Sequence, residues 1–204
     1  PETRMTVAQW AVSAMDRGVV APGLGGTERD HPPEWFADAF ALAREAGLHR
    51  VPHAGEVAGP ESVWGAVRAL HAERLGHGVR SIEDPDLIGY LVEHRVPLEV
   101  CPTSNLCLGV YDTYEAHPIR RLYEAGVVVT VNSDDPPMFN TDLVAEYRAL
   151  ADPLGFNVGD LEQLILNAVQ ASFLPDETKQ EMARTFRSDL LRLLDHHLGP
   201  EGGR

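Results

Sequence analysis

Positive charge is short in this chain: 17 Lys and Arg stand against 31 Asp and Glu, for a formal net charge of −14. A surface that meets nucleic acid or an anionic membrane needs clustered cations, so the balance excludes both partners and leaves a self-repelling, soluble exterior. Cysteine is nearly absent. Cys101 and Cys107, with five residues between them, form neither a disulfide framework nor a Cys-x-x-Cys metal clip, which points to a reducing cytoplasm. No apolar run approaches the roughly 18–20 residues that span a bilayer, and no charged-then-apolar signal opens the sequence. Also missing are a Gly-x-Ser-x-Gly elbow, a phosphate loop, and a Gly-x-Gly-x-x-Gly turn with an acidic partner behind the first strand.

What is present suffices for one sizeable core, since 44% of the 204 residues are hydrophobic. The opening segment, from Pro1 through Trp10 and Met15, suits a helix that stops at Gly18 and reads as the middle of something longer. Val19 to Gly26 predicts a short strand breaking into a glycine-rich turn. Pro33 then starts a helix with Trp35, Phe36, Ala39, Phe40 and Ala43 on one face and Gly47 as its stop. "HRVPHAGE", "ERLGHG", "VPLEVCP" and "VVVTVNSDD" read as four further strands. The helices between them begin at Pro60, with Val63, Val67 and Leu70 on one stripe, begin at Asp84-Pro85, or centre on Ile119 and Leu122 before Gly126. The unbroken valine run fits a strand covered on both faces. Five strand–helix units in succession imply a parallel sheet.

Beyond Thr141, helices at about 142–151, 160–172 and 176–197 look like an appendage packed through Leu161, Leu164, Ile165, Met182, Phe186 and Leu190, and the tail "GPEGGR" should fray. A complete (β/α)8 barrel takes about 250 residues. The expected fold is therefore α/β, a partial TIM-type barrel of about five C-terminal strand–helix units over residues 1–141, with residues 142–204 as helices packed on it.

In such barrels the C-terminal rim carries the site, and the polar residues gather there: Gly26, His53, Glu56, His77, Ser104, Asn105, Asp134 and Asp135. In "HAGE", His53 ends a strand and Glu56 follows the Gly55 bend. A neutral imidazole suits a borderline metal such as zinc, and a carboxylate beside a metal-bound water can act as its base. Taken alone, the pair reads equally as a solvated turn. His77 stands between two glycines that permit close approach of another group, with a buried structural histidine as the alternative. Asp134 and Asp135 follow the most buried strand, where adjacent carboxylates repel and call for a cation or a shifted pKa. In a surface loop, one of them would simply cap a turn. Ser104 and Asn105 suit supporting hydrogen bonds and no direct chemistry. The His-x-Glu and Pro-Cys-x-x-Cys signature of the unrelated base deaminases does not occur.

Taken in order, "GLGGTE", "HAGE", "ERLGHGVR", "LEVCPTSN", "HPIRRLYEAGV" and "VTVNSDDPPMFNTDL" resemble the adenosine deaminase family of metal-dependent amidohydrolases from about Val20 to Asp142. The helical tail with "NAVQASF" is similar as well. The resemblance implies hydrolytic deamination of a 6-aminopurine nucleoside, adenosine to inosine plus ammonia. It implies that His53 and Asp134 hold Zn2+, that Glu56 shuttles a proton between the zinc-activated water and purine N1, and that His77 orients and polarises that water. Asp135 would hydrogen-bond purine N7, and the Gly26 backbone N–H would meet N3. The chemistry agrees: attack at C6 needs hydroxide at neutral pH, and zinc lowers the pKa of bound water to about 7. Glu56 must be protonated in one step and anionic in another, so burial should raise its pKa and zinc lower it.

The family also carries a His-x-His pair at the end of its first barrel strand, and none occurs here. The nearest candidate, His196-His197, occupies adjacent positions in the final helix, which should point away from each other into solvent. Two ligands alone leave a zinc site short. The expectation is an inactive fragment of a longer enzyme, or a non-catalytic remnant that only binds. Its opened barrel would self-associate through the edge at Val19 and the edge after Val131. "GLGG" before Thr27-Glu28, where vertebrate-type members tend to read Asp-Leu-Ala-Gly-Asp-Glu, points to a bacterial branch. That branch includes adenine deaminases and the aminodeoxyfutalosine deaminases of menaquinone synthesis, all of which replace a 6-amino group on a purine. A related hydrolase of amides or phosphotriesters is the remaining reading.

Overall fold

The computed structural model of the protein describes residues 3–199, so Pro1 and most of the tail expected to fray, Pro200–Arg204, lie outside the described residues. The elements in chain order are α1 (Arg4–Ser13), β1 (Gly23–Leu24), α2 (Ala37–Glu45), β2 (Val51–Ala54), α3 (Pro60–Ala69), β3 (Leu75–His77), α4 (Pro85–Glu93), β4 (Leu98–Val100), α5 (Pro102–Cys107), α6 (Ile119–Glu124), β5 (Val129–Val131), α7 (Pro136–Phe139), α8 (Leu143–Ala151), α9 (Val158–Ala171) and α10 (Asp176–Leu198). Proline opens α3, α4, α5 and α7, where its missing N–H costs nothing and its fixed φ is already helical. Asp84 caps α4 by accepting from the N–H groups of Asp86 and Leu87.

The strands form one parallel sheet in sequential order, β1 to β5. Ala54, Leu75, Leu98, Val100 and Val129 are all buried, and they pack with Val63, Leu87, Leu91, Ile119 and Leu122 from α3, α4 and α6 in one apolar layer. In register across the other face run His53, Gly76, Glu99 and Thr130. Adjacent parallel strand–helix units in this order are the architecture of a (β/α)8-type barrel, with a helical appendage at the C-terminal side.

Several expectations shift in detail. The first strand shrinks to two residues. Trp35 is half-exposed, because it lies in the 3-10 turn Pro33–Phe36 that precedes α2, off the stripe formed by the buried Phe36, Ala39, Phe40 and Ala43. Trp10 and Met15 are exposed, and α1 buries only Ala8. Where "CPTSN" reads as a strand end, the chain turns into α5. The edge beyond Val131 is partly covered: α9 packs along β5, and Asn167 donates to the Val129 carbonyl at 2.9 Å. In the appendage, Leu164 is buried but Phe186 is exposed. His196 and His197 are exposed as expected, yet their rings meet edge to face with centroids 4.7 Å apart. The roughly 100° between neighbours on a helix still leaves their side-chain torsions free to bring the rings together.

Candidate active site

Strand alternation by itself would send His77 the wrong way. His77 pairs with Ala54, one step beyond the pairing of Gly76 with His53. Regular pleating therefore aims His77 with Ala54 into the apolar layer. A left-handed φ of 63° at His77 breaks the alternation, and its imidazole lies edge-on to that of His53, with centroids 4.7 Å apart. Asp134, beyond the end of β5, is likewise left-handed at φ 56°. For residues with a side chain this conformation costs about 1–3 kcal/mol, and such strain concentrates where geometry serves chemistry. Gly76 makes room for the arrangement: a Cβ there would stand 2.5 Å from His53 Cδ2.

Glu56 is fixed from two sides. Its backbone belongs to a turn whose N–H groups at Gly55, Glu56 and Ala58 all donate to the Glu28 carboxylate, at 2.9–3.2 Å. Its side chain accepts from Asn105 Nδ2 through Oε1, at 2.8 Å. The same oxygen lies 3.4 Å from His77 Nδ1. That contact lacks hydrogen-bond alignment, so the buried Nδ1 has no hydrogen-bond partner. Burial, then the charges of Glu28 and Asp134, pushes the Glu56 carboxyl up to about 7 against the pull of the Asn105 hydrogen bond. Burial and then His53 pull His77 down to about 4, with Asp134 opposing. Near neutrality His77 is therefore a neutral imidazole, while Glu56 is divided between its two forms.

On the far side of His77, Ser104 donates to Asp134 Oδ2 at 2.7 Å. Donor atoms of His77, Cys101 and Asp134 all lie within 4.8 Å of one another. Burial, with four carboxylates around it, pushes the Cys101 thiol up, so it stays protonated and is a poor ligand. Of that group, the buried His77 Nδ1 without a hydrogen-bond partner and the Asp134 carboxylate offer one imidazole nitrogen and one carboxylate, donors that suit a borderline cation such as zinc, and the His53 ring lies beside them. Asp135 is exposed at the start of α7, and its side chain makes no capping bond. Gly26, at φ 104°, lines a cavity of about 340 Å³ with Thr27, Phe36 and His53. Glu56 lines a separate cleft of about 310 Å³ with Arg29, Arg80 and Tyr111. A larger cavity of about 590 Å³ passes Arg29, Glu34 and Arg80 but is lined by none of His53, Glu56, His77 and Asp134.

The structure thus brings His53, Glu56, His77 and Asp134 to one rim, and it adds residues to which sequence reasoning gave no part. Glu28 staples the Glu56 turn. Glu146 on α8, fully buried, accepts from the Thr103 N–H at 3.1 Å and the Thr141 hydroxyl at 2.7 Å, tying the start of α5 to the segment before α8. His117 is buried beside Asn105. Glu28 and His117 do fall inside the sequence blocks quoted above, whereas Glu146 gives no signal at all.

The family pattern described as "Adenosine deaminase" matches residues 1–188. The chain is 51% identical over 166 residues to an aminodeoxyfutalosine deaminase of Streptomyces avermitilis, covering 81% of this chain and 46% of that one. It is 43% identical over 182 residues to an adenine deaminase of Rhizobium leguminosarum bv. trifolii, covering 89% and 56%. Among solved structures, the adenine deaminase of Arthrobacter aurescens superposes with a TM-score of 0.84 at 32% identity, over 92% of this chain and 59% of that one. An amidohydrolase of Burkholderia ambifaria crystallised with bound zinc gives 0.83 at 28% identity, over 95% and 56%. The chain spans about half the length of the curated relatives it matches.

Proposed function

The chain belongs to the adenosine deaminase family, and from that premise we propose that the complete protein hydrolytically deaminates a 6-aminopurine nucleoside, converting adenosine to inosine and ammonia. The observation that carries the reading is the rim itself: a carboxyl raised to about 7 lies 3.4 Å from a buried imidazole, with Asp134 and His53 around that imidazole. His53 and Asp134 would hold zinc, in keeping with the zinc found in the Burkholderia amidohydrolase. Further ligands are needed, since a catalytic zinc takes about three protein ligands and this sequence has no His-x-His. When bound, zinc supplies Lewis-acid activation of water at neutral pH.

The remaining roles belong to side chains of this chain. Glu56, divided between acid and base near neutrality, gives a proton to purine N1 and takes one from the attacking water. His77, neutral and buried, orients that water through an imidazole nitrogen. Asp135 hydrogen-bonds purine N7, and the Gly26 N–H meets N3. We assign the described residues up to 141 to the barrel part and those from 142 onward to the packed helices, and the free thiols Cys101 and Cys107 suit a cytoplasmic setting. A second substrate, aminodeoxyfutalosine, is favoured by the 51% identity to the Streptomyces enzyme. The deciding experiment is Glu56→Gln in the complete protein, followed by purine absorbance. A loss of about 10²–10⁴-fold in kcat is expected, and unchanged turnover would rule out the assignment.

A further inference from the structure

Asn105 and His117 are 0% and 2% exposed, so both must satisfy their polar atoms inside the protein. His117 Nδ1 accepts the N–H of Ile119 at 3.2 Å. A neutral imidazole has one donor nitrogen and one acceptor, so its proton sits on Nε2. That nitrogen faces Asn105 Oδ1 at 3.1 Å. The Asn105 amide is thereby oriented, with its oxygen toward His117 and its NH2 toward Glu56 Oε1 at 2.8 Å. The flipped amide would set two donors against each other at His117 and two acceptors against each other at Glu56. Each lost bond leaves a buried polar group unsatisfied, at a cost of about 1–3 kcal/mol.

The surroundings hold this chain of contacts still. The Asn105 backbone is clamped within α5, donating to the Cys101 carbonyl and accepting from Val110 at 2.8 Å and from Tyr111. The Tyr111 ring packs edge-on against the His117 ring at 5.0 Å. Burial pulls His117 down to about 3, which keeps the ring neutral and Nδ1 an acceptor.

We propose that His117 is a positioning residue for proton transfer: through Asn105 it makes Glu56 Oε1 a permanent acceptor and so confines the Glu56 proton to Oε2. A carboxyl whose proton has one address meets purine N1 without sampling the unproductive oxygen. The proposal rests on the proton-transfer role given to Glu56 above.

The test uses the complete protein with His117→Phe and His117→Gln. Phenylalanine keeps a ring but removes the donor, whereas glutamine restores an N–H donor without the ring. The phenylalanine variant should lose on the order of 10–100-fold in kcat, with KM and zinc content unchanged, and the glutamine variant should recover most of that loss. Wild-type kcat in a folded phenylalanine variant, or glutamine no better than phenylalanine, would overturn the proposal. The tautomer is read without substrate by nitrogen NMR of the labelled wild type. A proton on His117 Nε2 supports the orientation and a proton on Nδ1 overturns it, including where the phenylalanine variant does not fold. If the wild type deaminates no purine, or Glu56→Gln keeps full turnover, it is the function assignment that fails, and the tautomer result stands apart from it.

Discussion

The loops above β2–β5 and the helix pair α9–α10 are buried by opposite means. Around the loops the inaccessible side chains include His77, Ser104, Asn105, His117 and Glu146, and three non-glycine residues, His77, Asp134 and Asn140, sit at positive φ. Between α9 and α10 the buried residues are Leu166, Val169 and Ala183, and among the described residues no buried polar side chain lies on either helix. Apolar burial is non-directional and tolerates small displacements. A buried polar group is acceptable only with its partner in place, so each one removes a degree of freedom from its neighbours. The rim gives up stability for fixed geometry, and the helix pair does the reverse.

Acid should break that contrast most strongly. Folded His117 resists protonation down to about pH 3, whereas the unfolded chain protonates it near its ordinary 6.5. Between those values the unfolded state binds more protons, so stability falls as the pH drops below about 6.5. At about 1.36 kcal/mol per pH unit the loss from this group reaches roughly 3 kcal/mol by pH 4. Melting temperatures from pH 7 to 4 should fall more steeply for the wild type than for His117→Gln, which has nothing to titrate there. Parallel curves would refute the claim.

A smaller effect is expected from Gly76→Ala, whose new methyl would press on the His53 ring. Zinc affinity of the complete protein, measured by chelator competition, should weaken by on the order of 10–100-fold. Unchanged affinity would show that His53 is not held where the metal reading requires it. Smallest of all should be Leu191→Gln on α10, where the side chain is 67% exposed. Its unfolding free energy should move by no more than about 0.5 kcal/mol, with kcat unaffected. A larger loss would mean that this helix face is covered and that the contrast with the rim has been drawn too sharply.

Much of this architecture is legible in the sequence. Proline at helix starts, glycine at their ends and short apolar runs between them mark out five strand–helix units, because punctuation and burial period are local properties. His53, Glu56, His77 and Asp134 stood out because each lies at or just past a strand end, and parallel strands carry such ends to one rim. The partners of Glu56 were not legible. At six residues, α5 is too short to show a helical period, so Asn105 reads as a strand-end residue suited to support. His117 follows 12 residues later, with nothing local to link the two. Glu146 sits in an ordinary amphipathic helix, and its buried carboxylate is met by Thr103 of α5 and by Thr141, both outside its own helix.

From the sequence alone came the parallel order of the strands and the kinds of side chain delivered to their ends, since both follow from patterns a few residues long. Tertiary structure alone decided that His77 turns back toward His53, that Glu56 rises to about 7, and which end of the Asn105 amide faces it. Those outcomes depend on lost solvent and on neighbours distant along the chain, and no local pattern of residues encodes either.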